Sequence, residues 1–433
     1  MKFYSTKNKS SNVDFQTALI TGMPQDNGLY MPEYIPDLSK IFNQEVKLTF
    51  QELSLLIASE FIGKELSKNQ IQNIIECCIN FDSPNYNVSK DLYCLELFHG
   101  PTLAFKDFGA RFMANCMGSF IANSKREINI LVATSGDTGS AVANGFYGVE
   151  GINVIILYPS GKVSDIQEKQ LTTLDKNIYA LEINGNFDDC QRLVKKAFLD
   201  KEINSKIKLS SANSINIARL IPQSFYYAHS YLQLENKYIP SVYSVPSGNF
   251  GNLTAGLIAK KMGVPINKFI ASTNLNDVVP KFFDTGSYNP KESIQTISNA
   301  MDVGNPSNIE RIMDMYESID KLRIDVCSWS FDEKKTLDLI SSIYNNHNYL
   351  IDPHTSVALL GLLKYKQSYI DRCNQVFLGT AHPGKFSDVV NPAINDTVKL
   401  PERLKRVLSL EKKSILLNNN YNEFYDYLLT TFQ

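Results

Sequence analysis

The sequence predicts an α/β protein built on open parallel sheets with helices on both faces. Two observations carry this. From residue 128 onward, short apolar runs alternate with helical patterns, each run passing through a turn into the next helix. The runs are also continuously apolar rather than alternating, as strands covered on both faces are.

In chain order, residues 1–95 read as a mixed, mainly helical region. Thr49 followed by Glu52 is a capping box that opens an apolar-periodic run through Leu53, Leu56, Ile57 and Phe61. A second helical run spans about 69–79, and Pro84 and Asn85 break the pattern. Strands are then expected over 128–133, over 153–158 before a helix near 163–174, and over 178–183 before a helix over 187–199. Further strands over 242–245, 269–272 and 375–378 each lead into a turn and a helical pattern. The 280–306 stretch, with Gly286, Pro290 and Gly304, reads as loop or insertion, and the tail after about 400 as helical and polar. The implied division is an N-terminal region over 1–95, a smaller α/β domain over 96–210 and a larger one over 211–433.

A chain of 433 residues exceeds one ordinary core, and 43% hydrophobic with 20% charged residues is a globular balance. A net charge of −2 argues against nucleic acid or an anionic membrane surface as the main partner. It leaves room for a local basic pocket. No stretch reaches the length of a spanning helix. Residues 1–11 lack both the apolar core of a secretory signal and the Arg-rich bias of a transit peptide. A cytoplasmic location is therefore expected. The seven cysteines (Cys77, Cys78, Cys94, Cys116, Cys190, Cys327 and Cys373) are odd in number and fit no metal or disulfide spacing. Reduced, mostly buried thiols are expected.

In open α/β sheets, ligands bind beyond the C-terminal ends of strands, so the turns there are the places to look. Ser247-Gly248-Asn249-Phe250-Gly251-Asn252 follows the strand over 242–245. Two glycines let successive N–H groups converge, and the following helix adds its dipole, which makes a cup for a phosphate dianion or an ordinary strand–helix turn. Ser135-Gly136-Asp137-Thr138-Gly139 follows the strand over 128–133. Its donors suit a carboxylate, and Asp137 suits a ring substituent or a plain helix cap. In the run from His99 to Phe108, Lys106 sits among Leu103, Phe105 and Phe108. An amine in apolar surroundings loses its proton more easily and becomes nucleophilic, although most lysines are solvated surface groups. Thr380, in Gly379-Thr380-Ala381-His382-Pro383, offers a neutral hydroxyl at a strand end or serves the turn. His99, His354, His382, His229 and His347 match no metal-ligand spacing, and no metal is expected.

These segments together resemble the threonine synthase family. The 99–107 run is similar to its cofactor-lysine motif. The stretches 135–140, 211–219, 245–251, 273–277, 300–307, 352–355 and 378–383 resemble further family segments in the family's order. The chain start, 1–6 and 27–32, is also similar, and the likeness is closest to the bacterial and fungal type. Asn252, where many relatives carry an acidic residue, and Gly384, where a small residue such as alanine is usual, depart from the pattern.

The resemblance implies a fold type II pyridoxal-phosphate enzyme: two open parallel-sheet domains with the cofactor in the cleft. It implies that Lys106 holds pyridoxal 5'-phosphate as a Schiff base. The phosphate would lie on Gly248, Asn249, Phe250, Gly251 and Asn252, and Thr380 would face the pyridine nitrogen. The implied reaction converts O-phospho-L-homoserine and water to threonine and phosphate. The substrate carboxylate would meet Ser135, Gly136, Asp137 and Thr138. Its phosphate would meet Lys162, Asn216 and Arg219, the last two being three apart and on one face if helical. A monomer or homodimer is expected. The rival readings are another fold type II reaction, such as serine/threonine dehydration, and a non-catalytic phosphate-ligand binding paralog.

Overall fold

A computed structural model describes residues 1–43, 47–122, 127–369 and 372–433. Among the described residues, fourteen strands form three sheets. β1 (Phe3–Ser5), β2 (Asn8–Val13) and β3 (Tyr30–Pro32) make a small antiparallel sheet in the order β2-β1-β3. β4 (Asn85–Ser89) and β5 (Leu92–Glu96) join β10 (Ser241–Pro246), β11 (Lys268–Thr273), β12 (Val326–Ser330) and β13 (Asn374–Gly379) in a six-stranded sheet. Its order is β12-β11-β10-β13-β5-β4, parallel except for the edge strand β4. β6 (Ile128–Ala133), β7 (Ile152–Pro159), β8 (Ile178–Asn184), β9 (Leu209–Ser211) and β14 (Ile415–Asn418) form a five-stranded parallel sheet in the order β14-β8-β7-β6-β9.

The sheets do not divide at residue 210. β4 and β5 precede the smaller sheet in sequence yet belong to the larger one, while β9 and β14 sit in the smaller. The chain end after 400 therefore differs from a polar tail. β14 pairs parallel with β8, and the helix Tyr421–Phe432 buries Phe424 and Leu428 against Leu181, Ile183 and Leu193. In the 280–306 stretch, the helix Val278–Thr285 occupies the beginning and a single 3-10 turn, Asn299–Met301, lies near the end.

Alternate residues of each buried strand enter different cores. On β10, Val242 faces a layer with Ala358, Leu359 and Leu362 of the helix Pro353–Ser368, while Tyr243 and Val245 face the opposite layer. On β6, Leu131 and Ala133 face the C-terminal helix side, while Ile130 and Val132 face inward. One core receives side chains from both parallel sheets and from the N-terminal helices Phe50–Ile62 and Lys68–Cys78. The helix Lys106–Ile121 runs through it with Phe108, Phe112, Met113 and Met117 fully buried. The Thr49–Glu52 capping box forms, and Leu53, Ile57 and Phe61 turn inward while Leu56 faces solvent. Among the described residues, no helix is long and apolar enough to cross a membrane.

Because the C-terminal helix closes one face of the smaller sheet, Phe424→Ala is expected to destabilise the protein by about 3 to 5 kcal/mol. Urea unfolding measures it, and a loss under about 1 kcal/mol would mean that this helix contributes little to the sheet's core.

Candidate active site

β5, β13 and β10 are neighbours, and the turns after their C-terminal ends carry Lys106, Thr380 and the Gly248–Gly251 loop. The Ser135–Gly139 turn stands at the same end of β6 in the other sheet.

Lys106 opens its helix from a loop fastened to the β13 turn. Phe105 N donates to Thr380 O at 2.8 Å, His382 N donates to Leu103 O at 3.0 Å, and Ala104 bridges Ala381 antiparallel. Thr102 closes the loop onto the helix, donating from N at 2.9 Å and from Oγ1 at 2.7 Å to the buried Asp107. Burial pushes the Asp107 carboxyl up to about 6, with the Thr102 bonds opposing. The Lys106 amine lies 5.9 Å from the Phe105 ring centroid and donates to no described residue. Burial lowers it to about 8; Asp137 opposes the shift, and Arg219 and Lys385 add to it. About a tenth is then free amine at pH 7, far more than for an ordinary lysine, and this is the form that attacks a carbonyl carbon.

Asp137 begins the helix Asp137–Phe146 and is almost fully buried. Lys385 Nζ lies 2.6 Å from Asp137 Oδ1, and Gln167 Nε2 donates to the same oxygen at 3.0 Å. Burial alone would raise this carboxyl; Lys385 and Lys106 outweigh it and hold it well below the usual range. Lys385 itself is 1% exposed and also donates to Thr102 O at 3.0 Å. A carboxylate thus stands between two lysines, one paired with it and one without a hydrogen bond. The sequence expectations omitted Lys385, although it lies two residues beyond Pro383, in a turn flanked by Phe386.

The Ser135–Thr138 turn differs from its expectation at Gly136. The Gly136 amide donates to Thr134 Oγ1 at 3.0 Å, as does Gly139 at 2.8 Å, so Gly136 is not a free donor. Its role is the bend: φ is +134° and a Cβ would stand 2.5 Å from Gln167. The amides of Ser135, Asp137 and Thr138 have no acceptor among the described residues.

The glycine loop after β10 presents five consecutive amides, Gly248 to Asn252, that no described acceptor takes. Phe250 caps the helix Gly251–Lys261 in the left-handed region, φ +60°. Asn249 is held from behind: Nδ2 donates to Ser214 Oγ at 2.5 Å, Oδ1 accepts from Ser307 N at 2.6 Å, and O accepts from Asn308 Nδ2 at 3.0 Å. Asn252 Oδ1 accepts from Tyr226 and Tyr227 at 2.5 and 2.7 Å, and its buried Nδ2 has no partner among the described residues. Ala300 packs against Gly248, where a Cβ would meet Ala300 O at 2.8 Å. Ala300 is braced in turn by His354, whose Nε2 accepts from Ala300 N at 3.1 Å while Nδ1 faces Asp352 at 2.6 Å. With Nε2 accepting, the hydrogen on Nδ1 points to Asp352. Burial first and then His99 lower His382 to about 4. Among the described residues, no group of three or more His, Cys, Asp or Glu is placed to hold a metal ion.

The expected substrate-phosphate residues separate. Arg219 is buried beside the lysine helix: a Cβ on Gly109 would meet Arg219 Nε at 2.9 Å. Its Nη1 donates to Ala212 O at 2.5 Å, while its Nε has no partner among the described residues. Lys162 is exposed in the turn after β7. Asn216 does not fit a phosphate contact. Both amide hydrogens are engaged, by Leu19 O at 2.8 Å and Ser211 O at 3.1 Å, and Oδ1 caps Ala218 N at 3.0 Å. It is a helix cap that positions Arg219 three residues on.

The residues fit a phosphorylated aldehyde cofactor: a free amine near neutral pH, a row of unengaged amides at a helix start, and a partnerless buried amide on Asn252. The electrostatics predict opposite shifts in two variants of the cofactor-free protein. Lys385→Met removes a like charge near Lys106, so the midpoint pH for modification of its amine rises above about 8. Asp137→Asn removes the opposing carboxylate, so the midpoint falls below about 8. Amine modification followed by peptide mapping across pH reads both. Midpoints that do not move would contradict the arrangement.

Known proteins share this architecture and its sequence. The profile of a family described as "Pyridoxal-phosphate dependent enzyme" matches residues 79–378, flanked by matches to "Threonine synthase N terminus" over 2–79 and "Threonine synthase, C-terminal" over 355–427. A threonine synthase of Buchnera aphidicola is 43% identical over 438 positions, covering 99% of each chain. The crystal structure of threonine synthase from Escherichia coli superposes with a TM-score of 0.92 at 40% identity, covering 99% of this chain and 100% of that one. The pyridoxal-phosphate-bound threonine synthase of Brucella melitensis superposes at 0.93 with 31% identity, each chain being covered fully. The chain belongs to the threonine synthase family of fold type II pyridoxal-phosphate enzymes.

Proposed function

We propose that this chain is the phosphate-eliminating lyase that converts O-phospho-L-homoserine and water to L-threonine and phosphate, the last step of threonine biosynthesis. The observation that carries this is an unpaired amine near neutral pH beside two separate sets of unengaged amides and a buried guanidinium with a free Nε.

When bound, pyridoxal phosphate supplies an electron sink for the carbanion that forms at the substrate Cα. The Gly248–Asn252 amides would hold its phosphate, and the neutral Thr380 hydroxyl would serve its ring nitrogen. The amides of Ser135, Asp137 and Thr138 hold the substrate carboxylate at a helix N-terminus, where the dipole favours an anion. Lys106 removes the Cα proton and then a Cβ proton as phosphate leaves Cγ; protons return to Cγ and Cα, water adds its hydroxyl at Cβ, and the remaining proton leaves on phosphate, a sequence matched to an amine near 8. Asp137 and Lys385 keep the surrounding charge fixed. The substrate phosphate meets Arg219, with Lys162, exposed in the turn after β7, as a second cation. Seven free cysteines support a location in the reducing cytoplasm. The partner is this small molecule, with no role for nucleic acid or membrane, in a monomer or homodimer.

Supplied with O-phospho-L-homoserine, the holoenzyme is expected to release phosphate and threonine in equal amounts; phosphate with 2-oxobutanoate instead would contradict the proposal. Arg219→Ala is expected to raise KM for O-phospho-L-homoserine about tenfold or more. An unchanged KM would remove Arg219 from the substrate-phosphate site.

A further inference from the structure

Arg311 lies on the helix Ile309–Tyr316 and is completely buried. Its guanidinium donates only to neutral acceptors: Nε to Tyr30 O at 3.1 Å, Nη1 to Ser214 O at 3.2 Å and to Asn308 Oδ1 at 2.8 Å, and Nη2 to Ile215 O at 2.6 Å. No described carboxylate forms an ion pair with it. Burial pulls it down to about 9, with Glu310 opposing, and it is charged at neutral pH. A buried charge without a counter-charge is costly, and hydrogen bonds to carbonyls offset only part of that cost.

The groups around Arg311 are the ones that hold the glycine loop. Asn308, which accepts from Arg311, donates to Asn249 O, and Ser214, whose carbonyl accepts from Arg311, receives Asn249 Nδ2 on its hydroxyl. A Cβ on Gly251 would lie 3.4 Å from both Asn308 Nδ2 and Ser214 Cβ. Arg311 therefore sits one residue behind the free amides of the cup.

We infer that Arg311 is a positioning residue whose buried charge is matched to the dianionic cofactor phosphate across Asn308 and Ser214. This inference rests on the Gly248–Asn252 cup being the phosphate site. It assigns Arg311 two linked tasks: fastening Tyr30 and the 214–215 turn to the loop, and lending the cup a positive potential that its amides alone do not supply.

The two tasks separate when pyridoxal phosphate is compared with pyridoxal, which lacks the phosphate. Dissociation constants for both are measured by absorbance titration of the cofactor-free protein. Arg311→Gln is expected to weaken pyridoxal phosphate about tenfold or more while leaving pyridoxal within about twofold. Arg311→Lys, which keeps the charge and loses the fork, is expected to retain most of the preference for the phosphorylated form. An equal loss for both cofactors in Arg311→Gln, or no loss, would overturn the inference and leave Arg311 a structural staple. If the glutamine variant does not fold, the lysine variant decides: a preference kept without the fork supports the charge, and a preference lost removes it. Gly248→Ala, which presses the loop against Ala300, distinguishes the underlying reading. A selective loss there with none in Arg311→Gln sinks the inference and keeps the cup, while no selective loss in either variant sinks both.

Discussion

The antiparallel contact between Ala104 and Ala381 sets where the reactive amine stands. It joins the loop after β5 to the loop after β13, two neighbouring strands whose ends would otherwise diverge into separate turns. Leu103 takes the left-handed backbone that lets the loop reverse, and the bonds from Phe105 to Thr380 and from His382 to Leu103 lock it. Lys385 Nζ then reaches Thr102 O from the same β13 turn. With the loop held, Lys106 leaves the first turn of a helix whose next faces are deep in the core. The amine is left between an aromatic ring and a carboxylate already engaged by another lysine.

The charge pattern around that amine lowers its proton affinity without a strong base beside it. Desolvation favours the neutral amine, and two further cations, Arg219 and Lys385, act in the same direction. Asp137 opposes them, yet its oxygen is held by Lys385 and Gln167, so it moderates the amine without binding it. Three cations, Lys106, Lys385 and Arg219, stand against the carboxyls of Asp137 and Asp107, which suits the proposed reaction, whose reactant carries a carboxylate and a phosphate.

Much of the fold was legible because the strands of a sheet covered on both faces declare themselves as short apolar runs. The strand expected over 128–133 is β6, and those over 178–183, 242–245, 269–272 and 375–378 sit within one residue of β8, β10, β11 and β13. The expected helix over 187–199 is Phe187–Leu199. What escaped was set by partners distant in sequence. β14 is four residues with three facing solvent, and only its pairing with β8 makes it a strand. β9 has three residues and depends on β6 in the same way. The glycine turns and Lys106 were readable as local motifs. Lys385 was not, because its meaning lies in Asp137, far away in sequence. Asn216 shows the converse: its spacing from Arg219 suggested a shared phosphate, while its side chain caps the helix on which Arg219 sits.

One amine, Lys106, is proposed to carry the cofactor. Borohydride reduction of the holoprotein followed by mass spectrometry of its peptides identifies that amine. A phosphopyridoxyl group is expected on the peptide bearing Lys106, and none on those bearing Lys385 or Lys162. Labelling at another lysine, or no label on a protein that has taken up pyridoxal phosphate, would contradict it.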